Sequence, residues 1–214
     1  MIWLSHPLSQ NTPAYANGKG LEVAPSKQLC EGDSCNQLYF AMSNHLGTHV
    51  DAPKHFVEAG MSVTDYAAKD WVFDLPFLID VPTAPGETLS AAAIDRVVGL
   101  ANDADLLLIR TGFEQYRSSS PYWQESPIIH SDVITVLDQY FPKLKAIALD
   151  TISISSLLDR EMGRATHKVL LSRGLRIFED VALAHIEKNL KQVMAFPLLL
   201  DDADGAPVSM VGIY

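Results

Sequence analysis

Three of the seven histidines fall within eleven residues of the chain. They lie in Ser43-Asn44-His45-Leu46-Gly47-Thr48-His49-Val50-Asp51-Ala52-Pro53-Lys54-His55-Phe56, where His45, His49, Asp51 and His55 are spaced by 4, 2 and 4 residues. Neutral imidazole is a ligand for zinc and similar divalent ions, and carboxylate suits manganese as well. A carboxylate also has two oxygens, so Asp51 can bridge two ions. A complete site calls for a further acid or histidine from elsewhere in the chain. His167 and Glu179 are the best candidates. The remaining histidines, His6, His130 and His185, read as surface or satisfied core residues.

The elements that position these groups follow from the same residues. A helix would explain the two four-residue gaps, but Gly47, Thr48, Val50 and Pro53 argue against one. Extended chain sends all four odd-numbered residues to one face. A straight strand would still hold His45 and His55 about 33 Å apart, so the chain must bend, and Gly47 and Pro53 are the places for it. His167 lies in a predicted helix, Arg164 to Arg173, stopped by Gly174. Glu179 follows the apolar run Leu175 to Phe178, so helix, stop and returning strand can bring both groups to one end of a sheet.

Further strands are predicted over Leu38 to Met42, Phe77 to Val81, Leu106 to Ile109 and Ala146 to Leu149. Val193 to Leu200 and Val208 to Ile213 read as a closing hairpin around Asp204-Gly205. Helices are expected over Ala91 to Leu100, capped by Ser90, and over Asp132 to Phe141, capped by Ser131 and ended by Pro142. The stretch Ser9 to Cys35 reads as irregular loop. Strands and helices alternate after residue 75, the pattern of an α/β or α+β domain with a mixed sheet.

Length and charge bound the rest. The chain of 214 residues is read as one domain, 1–214, with 48% hydrophobic and 20% charged residues. That composition excludes disorder as the main state. A net charge of −10 repels phosphate backbones and anionic membrane surfaces, so neither nucleic acid nor membrane is expected as a partner. No apolar run reaches the roughly 20 residues of a spanning helix. No secretory signal is seen at Met1 to Pro7, and a cytoplasmic protein is expected. Cys30 and Cys35 read as two reduced thiols in a loop.

The histidine segment resembles the signature H-x-G-T-H-x-D-x-P-x-H of the metal-dependent cyclase family, which includes bacterial kynurenine formamidases (arylformamidases) and isatin hydrolases. It is unbroken here from His45 to His55. Leu8-Ser9 with Thr12-Pro13, Leu107 to Thr111, Asp150-Thr151-Ile152-Ser153, the pair His167 and Glu179, and Phe196-Pro197-Leu198 with Gly205 to Val208 are similar to further family segments, in the same order. The family's formamidases often carry an aromatic residue and Pro-Gly-Asp after the first Thr-Pro, where this chain has Ala14-Tyr15-Ala16-Asn17-Gly18.

The resemblance implies an α/β fold of the compact swivelling β/β/α type, usually a homo-oligomer (dimer or tetramer), with one or two divalent ions, zinc or manganese. Carried over residue by residue, it gives His45, His49 and Asp51 as ligands of one ion, and Asp51, His167 and Glu179 as ligands of a second. His55 is given as the proton-transfer residue. The implied function is hydrolysis of an amide C–N bond in a small aryl formamide, as in tryptophan catabolism through kynurenine, by metal-activated water. Tyr15, Phe56, Trp71 and Trp123 are the aromatic residues available to hold an aryl group. The alternatives are a cyclic-amide hydrolase of the isatin type and a metal-dependent binding protein without turnover.

Overall fold

The computed structural model describes residues 1–99, 103–187 and 189–214. Its strands are β1 (Ile2–Trp3), β2 (Glu22–Lys27), β3 (Gln37–Ala41), β4 (His49–Asp51), β5 (Val72–Phe73), β6 (Pro76–Asp80), β7 (Thr88–Leu89), β8 (Leu106–Arg110), β9 (Ile128–Ile129), β10 (Ala146–Leu149), β11 (Arg176–Glu179), β12 (Gln192–Pro197) and β13 (Gly205–Ile213). The helices are α1 (Ala91–Val98), α2 (Pro121–Gln124), α3 (Val133–Tyr140) and α4 (Arg160–Ser172). A nine-stranded sheet runs β5-β12-β13-β4-β11-β10-β8-β6, with β1 paired to β13. β6, β8, β10 and β11 are parallel, whereas β4, β12 and β13 are antiparallel to their neighbours, so the sheet is mixed.

The parallel strands are short runs of Leu, Ile, Ala and Phe because both faces of the sheet are covered. One face packs under the helices, with Leu107, Ile109, Ile147, Leu149 and Ile177 against α1, α3 and α4. The other face holds Leu106, Leu108, Ala146, Ala148 and Phe178 against Trp71, Phe73 and the β12–β13 hairpin. Strict alternation along each strand separates the two cores. On the same rule Val50 enters the second core, and its neighbours His49 and Asp51 turn to the helix side.

Most elements fall where the sequence puts them, and the differences have local causes. The Ser9 to Cys35 stretch is not wholly irregular, since β2 pairs with β3 in an antiparallel hairpin with an irregularity between Pro25 and Lys27. Almost no residue of β2 is buried, so it lacks the apolar alternation by which strands are recognised. Helix α4 begins a turn before Arg164, because the Asp159 carboxylate accepts from Met162 N at 2.9 Å and caps it there. Asp132, not Ser131, is the N-cap of α3. The same Asp132 carboxylate accepts from Ala91 N at 2.9 Å at the start of α1, where the Ser90 side chain makes no capping bond. α1 ends at Val98, and the predicted last residue, Leu100, lies outside the described residues. β12 stops at Pro197, leaving Leu198 to Leu200 as a connection. Cys30 and Cys35 are free and exposed. No helix among the described residues is long and apolar enough to cross a membrane.

Candidate metal centre

Strand β4 is only three residues long and bent away at both ends. Gly47 has φ +71°, a left-handed turn that glycine adopts without strain, and an added Cβ would lie 2.5 Å from Leu8 Cδ2. After Asp51 the chain enters a single 3-10 turn, Pro53–His55. These two bends fold His45 and His55 back over His49 and Asp51, and the His45 and His55 ring centroids are 4.2 Å apart. The sheet adds the acid, because Glu179 of β11 is the cross-strand partner of His49 and lies on the same face. Helix α4 supplies His167 from above.

Two buried imidazoles carry the decisive geometry. His49 donates Nδ1–H to the Gly47 carbonyl at 2.8 Å, and His167 donates Nδ1–H to the Gly163 carbonyl at 2.8 Å. Each ring is thus oriented by backbone, with Nε2 turned inward, as is usual for a metal-bound histidine. His49 Nε2 lies 3.3 Å from Glu179 Oε2 and 3.5 Å from Asp51 Oδ1. His167 Nε2 lies 3.3 Å from both Asp51 Oδ2 and Glu179 Oε1. All four side chains are at most 4% exposed. His49 Nε2 and Asp51 Oδ2 are nonetheless buried without a hydrogen-bond partner. Such orphaned atoms are costly, and a divalent cation satisfies both. The donor set, imidazole with shared carboxylate, therefore fits a divalent metal.

The remaining groups complete the ring. His45 donates Nδ1–H to Asp51 Oδ1 at 2.8 Å and faces Asp204 Oδ2 with Nε2 at 3.1 Å. His55 donates Nδ1–H to the same Asp204 oxygen at 2.6 Å, and Asn44 Nδ2 donates to Asp204 Oδ1 at 2.7 Å. All six residues expected from the sequence are therefore gathered. The donor atoms form two close groups, His45 with Asp51 and His55, and His49 with Asp51 and Glu179. Asp51 is common to both.

Asp204 was not anticipated as a site residue. Its place in Asp204-Gly205 reads as turn chemistry, and only β13 lying beside β4 reveals the contact. Gly205 sits opposite Asp51, where a Cβ would stand 2.5 Å from His45 Cε1 and 2.6 Å from the Val50 carbonyl. Gly205→Ala should push His45 off Asp51, cost about 1–3 kcal/mol of stability by overpacking, and weaken metal binding. Thermal melting with and without added zinc measures both effects.

Glu179 is held at the carboxyl end of β11 by Ser153 Oγ at 3.0 Å and Ile154 N at 2.6 Å, both donating to Oε1. Asp180, beside it, takes φ +52°. Its carboxylate is clamped by Arg117 at 2.8 and 2.7 Å and by the Tyr122 hydroxyl at 2.6 Å. The site thus lies where the parallel strands end, the usual place for a ligand crevice in such sheets.

Protons stand in for a cation when none is bound. Burial pushes the His167 imidazolium down, yet Asp51 and Glu179 outweigh it and hold its pKa at about 10. His49 is raised well above its usual value in the same way. Burial and the Asp51 charge push Glu179 up, but His167 and His49 bring it to about 2. A raised imidazole pKa stabilises the metal-free fold fully below pH 6.5, and that stability is lost as pH rises through about 10. Metal affinity should climb over the same window, with protons released on binding. Titration calorimetry of zinc into stripped protein, in two buffers of different ionisation enthalpy, should show a proton release that shrinks towards pH 10.

A cavity of about 460 Å³ opens over this centre, lined among others by Tyr15 and Phe56. Phe56 stacks on His167 with centroids 4.8 Å apart. Of the other aromatic candidates, Trp71 is buried in the second core under Arg176. Trp123 packs on Phe113 and Tyr122.

Residues 2–156 match the model of the cyclase family, described as "Putative cyclase". The chain belongs to the cyclase family. Among cyclase-family relatives, a kynurenine formamidase of Bacillus cereus is 30% identical over 217 residues, covering 98% of this chain and 95% of that protein. A kynurenine formamidase of Bacillus thuringiensis is 29% identical with the same coverage, 98% and 95%. Isatin hydrolase A from Labrenzia aggregata, solved with benzyl benzoate, superposes with a TM-score of 0.83 at 19% identity, over 99% of this chain and 93% of that one. The cyclase-family fold therefore extends beyond residue 156, over the part of the chain that carries His167, Glu179 and Asp204.

Proposed function

We propose that this chain is a divalent-metal-dependent hydrolase that cleaves the amide C–N bond of an aryl formamide, releasing formate and an aryl amine. The observation that carries this reading is the pair of backbone-oriented imidazoles, His49 and His167, facing Asp51 and Glu179 with orphaned atoms between them. The full-length relatives named kynurenine formamidase support the choice of reaction. His45, His49, Asp51, His167 and Glu179 are the proposed ligands of one or two ions. Zinc is the first choice for a histidine-rich set, and manganese the second.

A divalent ion held there lowers the pKa of a water from about 15.7 towards about 7 and polarises the carbonyl to be attacked. The protein's own part is positional. His55, fixed by Asp204 through Nδ1, presents Nε2 to take the proton that the attacking water gives up. It then returns that proton to the nitrogen as the C–N bond breaks. Phe56 and Tyr15 provide apolar walls for an aryl ring.

Metal analysis of protein purified without chelators, followed by formanilide and isatin with zinc or manganese, tests the reading. Formate release from formanilide supports it. Ring opening of isatin without any formamide turnover would make the chain a cyclic-amide hydrolase, and turnover of neither by metal-loaded protein would leave a binding protein. We also propose a cytoplasmic homo-oligomer. The β2–β3 hairpin leaves Leu38, Tyr39 and Phe40 between 52% and 68% exposed, and a two-stranded hairpin is marginal alone in water. Sedimentation should show more than the monomer mass of 23.5 kDa.

A further inference from the structure

The residue that follows Glu179 is held in a conformation it would not keep alone. Asp180 takes φ +52°, and a non-glycine residue stays in that left-handed region only when its surroundings over-determine it. Its backbone N–H donates to the Thr151 carbonyl at 2.8 Å. The Asp180 carbonyl accepts from Thr48 Oγ1 at 2.6 Å. Both arms of the Arg117 guanidinium meet its carboxylate, Nε on Oδ1 at 2.8 Å and Nη2 on Oδ2 at 2.7 Å, and the Tyr122 hydroxyl donates to Oδ1 at 2.6 Å. The Asp180 side chain is 3% exposed, so this fork acts where water does not compete.

Arg117 and Tyr122 come from the segment after β8, and that segment is pinned in its turn. At its start, the buried Asp150 carboxylate accepts from Thr111 N and Oγ1 at 2.8 and 2.6 Å and from Gly112 N at 2.8 Å. Further along, Glu114 Oε2 accepts from Leu183 N and Ala184 N, both at 2.8 Å. The segment therefore clasps the chain from Asp180 to Ala184. Thr48 ties this clasp to the metal centre from the other side. Its hydroxyl joins the residue before His49 to the residue after Glu179, and those two proposed ligands are cross-strand partners. Glu179 and Asp180 also share one rigid peptide unit, so a shift of Asp180 moves Glu179. The Glu179 carboxylate has little latitude, with Oε2 3.3 Å from His49 Nε2 and Oε1 3.3 Å from His167 Nε2.

We propose that Asp180, Arg117 and Tyr122 are positioning residues, which aim the Glu179 carboxylate at the divalent ion by holding Asp180 in its left-handed turn. The role rests on the metal-dependent hydrolase reading above. A ligand group has to be held within about 0.5 Å of its working geometry by the groups around it. Ser153 and Ile154 fix the Glu179 carboxylate through Oε1, and the clasp fixes the backbone that carries it. Arginine suits the task better than lysine, because its planar fork meets both carboxylate oxygens at once and so sets an orientation as well as a distance.

Asp180→Asn is the informative variant. Asparagine accepts the left-handed turn and keeps both backbone bonds, but it loses the charge and one of the two acceptors that face the guanidinium. Cobalt(II) titrated into metal-stripped protein reports the site through its visible absorption as well as its affinity. Asp180→Asn should bind cobalt about 10- to 100-fold more weakly than wild type, with a changed visible spectrum, and at saturating metal should lose kcat on formanilide with KM little altered. Arg117→Gln should do the same, Arg117→Lys should recover part of the loss, and Tyr122→Phe should show a smaller one. The last two carry the test if Asp180→Asn does not fold. Ile94→Val, in the helix-side core, lowers stability away from the clasp and should keep the wild-type cobalt affinity and spectrum. Wild-type affinity and spectrum in folded clasp variants, or an equal loss in Ile94→Val, overturns the proposal and leaves the metal reading standing. A wild type that binds no cobalt refutes the metal reading, and the proposal falls with it. Cobalt binding without hydrolysis of formanilide or isatin refutes the hydrolase reading alone, and the affinities and spectra still decide the positioning role.

Discussion

Asp51→Asn should remove the metal and the turnover together. The Asp51 side chain is 1% exposed and lies 2.8 Å from His45 Nδ1 and 3.3 Å from His167 Nε2. His49 Nε2 is 3.5 Å away. Burial pushes the carboxyl up, but the three imidazoles hold it well below the usual carboxylate range, so it is anionic at any working pH. Asparagine keeps the shape and loses the charge, and it turns an NH₂ group towards nitrogens that need an acceptor or a cation. Loss of an outer partner of a ligand costs about 10–100-fold in metal affinity. Loss of a carboxylate shared by both donor groups should cost more than that. The metal-free fold should weaken as well, because the carboxylate that stabilises the buried His49 and His167 imidazoliums has gone, so the informative measurement is linkage. Added zinc should raise the melting temperature of wild type and leave that of Asp51→Asn unchanged. An Asp51→Asn protein that keeps stoichiometric metal and normal turnover would show that Asp51 is not a ligand.

What the sequence revealed about this centre depended on how local each contact is. The bend at Gly47 and Pro53 was legible because spacing, one-sided polarity and breaker residues all lie within eleven positions of the chain. The helix–glycine–strand unit carrying His167 and Glu179 was legible too, since its parts are consecutive and the Gly174 stop has φ +81°. What was hidden is pairing between distant segments. Strand β4 lies between β11 and β13, which puts Glu179 and Gly205 on either side of His49 and Asp51. Nothing in three residues of β4 specifies those neighbours. Asp204 was missed for that reason, and so was β2, whose strand character comes from pairing with β3 rather than from burial.

His55 and Asp204 give the second large effect. His55→Ala should lower kcat by about 100- to 10,000-fold, the range associated with a positioned proton-transfer group, while zinc content stays near wild type. The argument is the division of labour on one ring. Nδ1–H is committed to Asp204 at 2.6 Å, which fixes the tautomer and leaves Nε2 as the nitrogen that exchanges protons. Asp204 is itself anchored by Asn44 at 2.7 Å. Burial pushes its carboxyl up, but the hydrogen bond from His55 and the nearby His45 bring it below its usual value, so it acts as a fixed anionic acceptor. Asp204→Asn preserves that contact geometry but offers a neutral partner, and should cost kcat less than His55→Ala does.

Free imidazole in the assay distinguishes the roles available to this ring. It should restore part of the turnover of His55→Ala, whose cavity has room for it, and none of the turnover of Asp51→Asn, where the lost group is a charge on the floor. If His55→Ala loses zinc instead, His55 belongs to the ligand set with His45 and Asp51, the three whose donor atoms already lie within 4.8 Å of one another. Proton transfer would then fall to some group other than His55. A His55→Ala enzyme with both metal and full kcat would remove His55 from the chemistry altogether and leave Asp204 as a support for His45 alone.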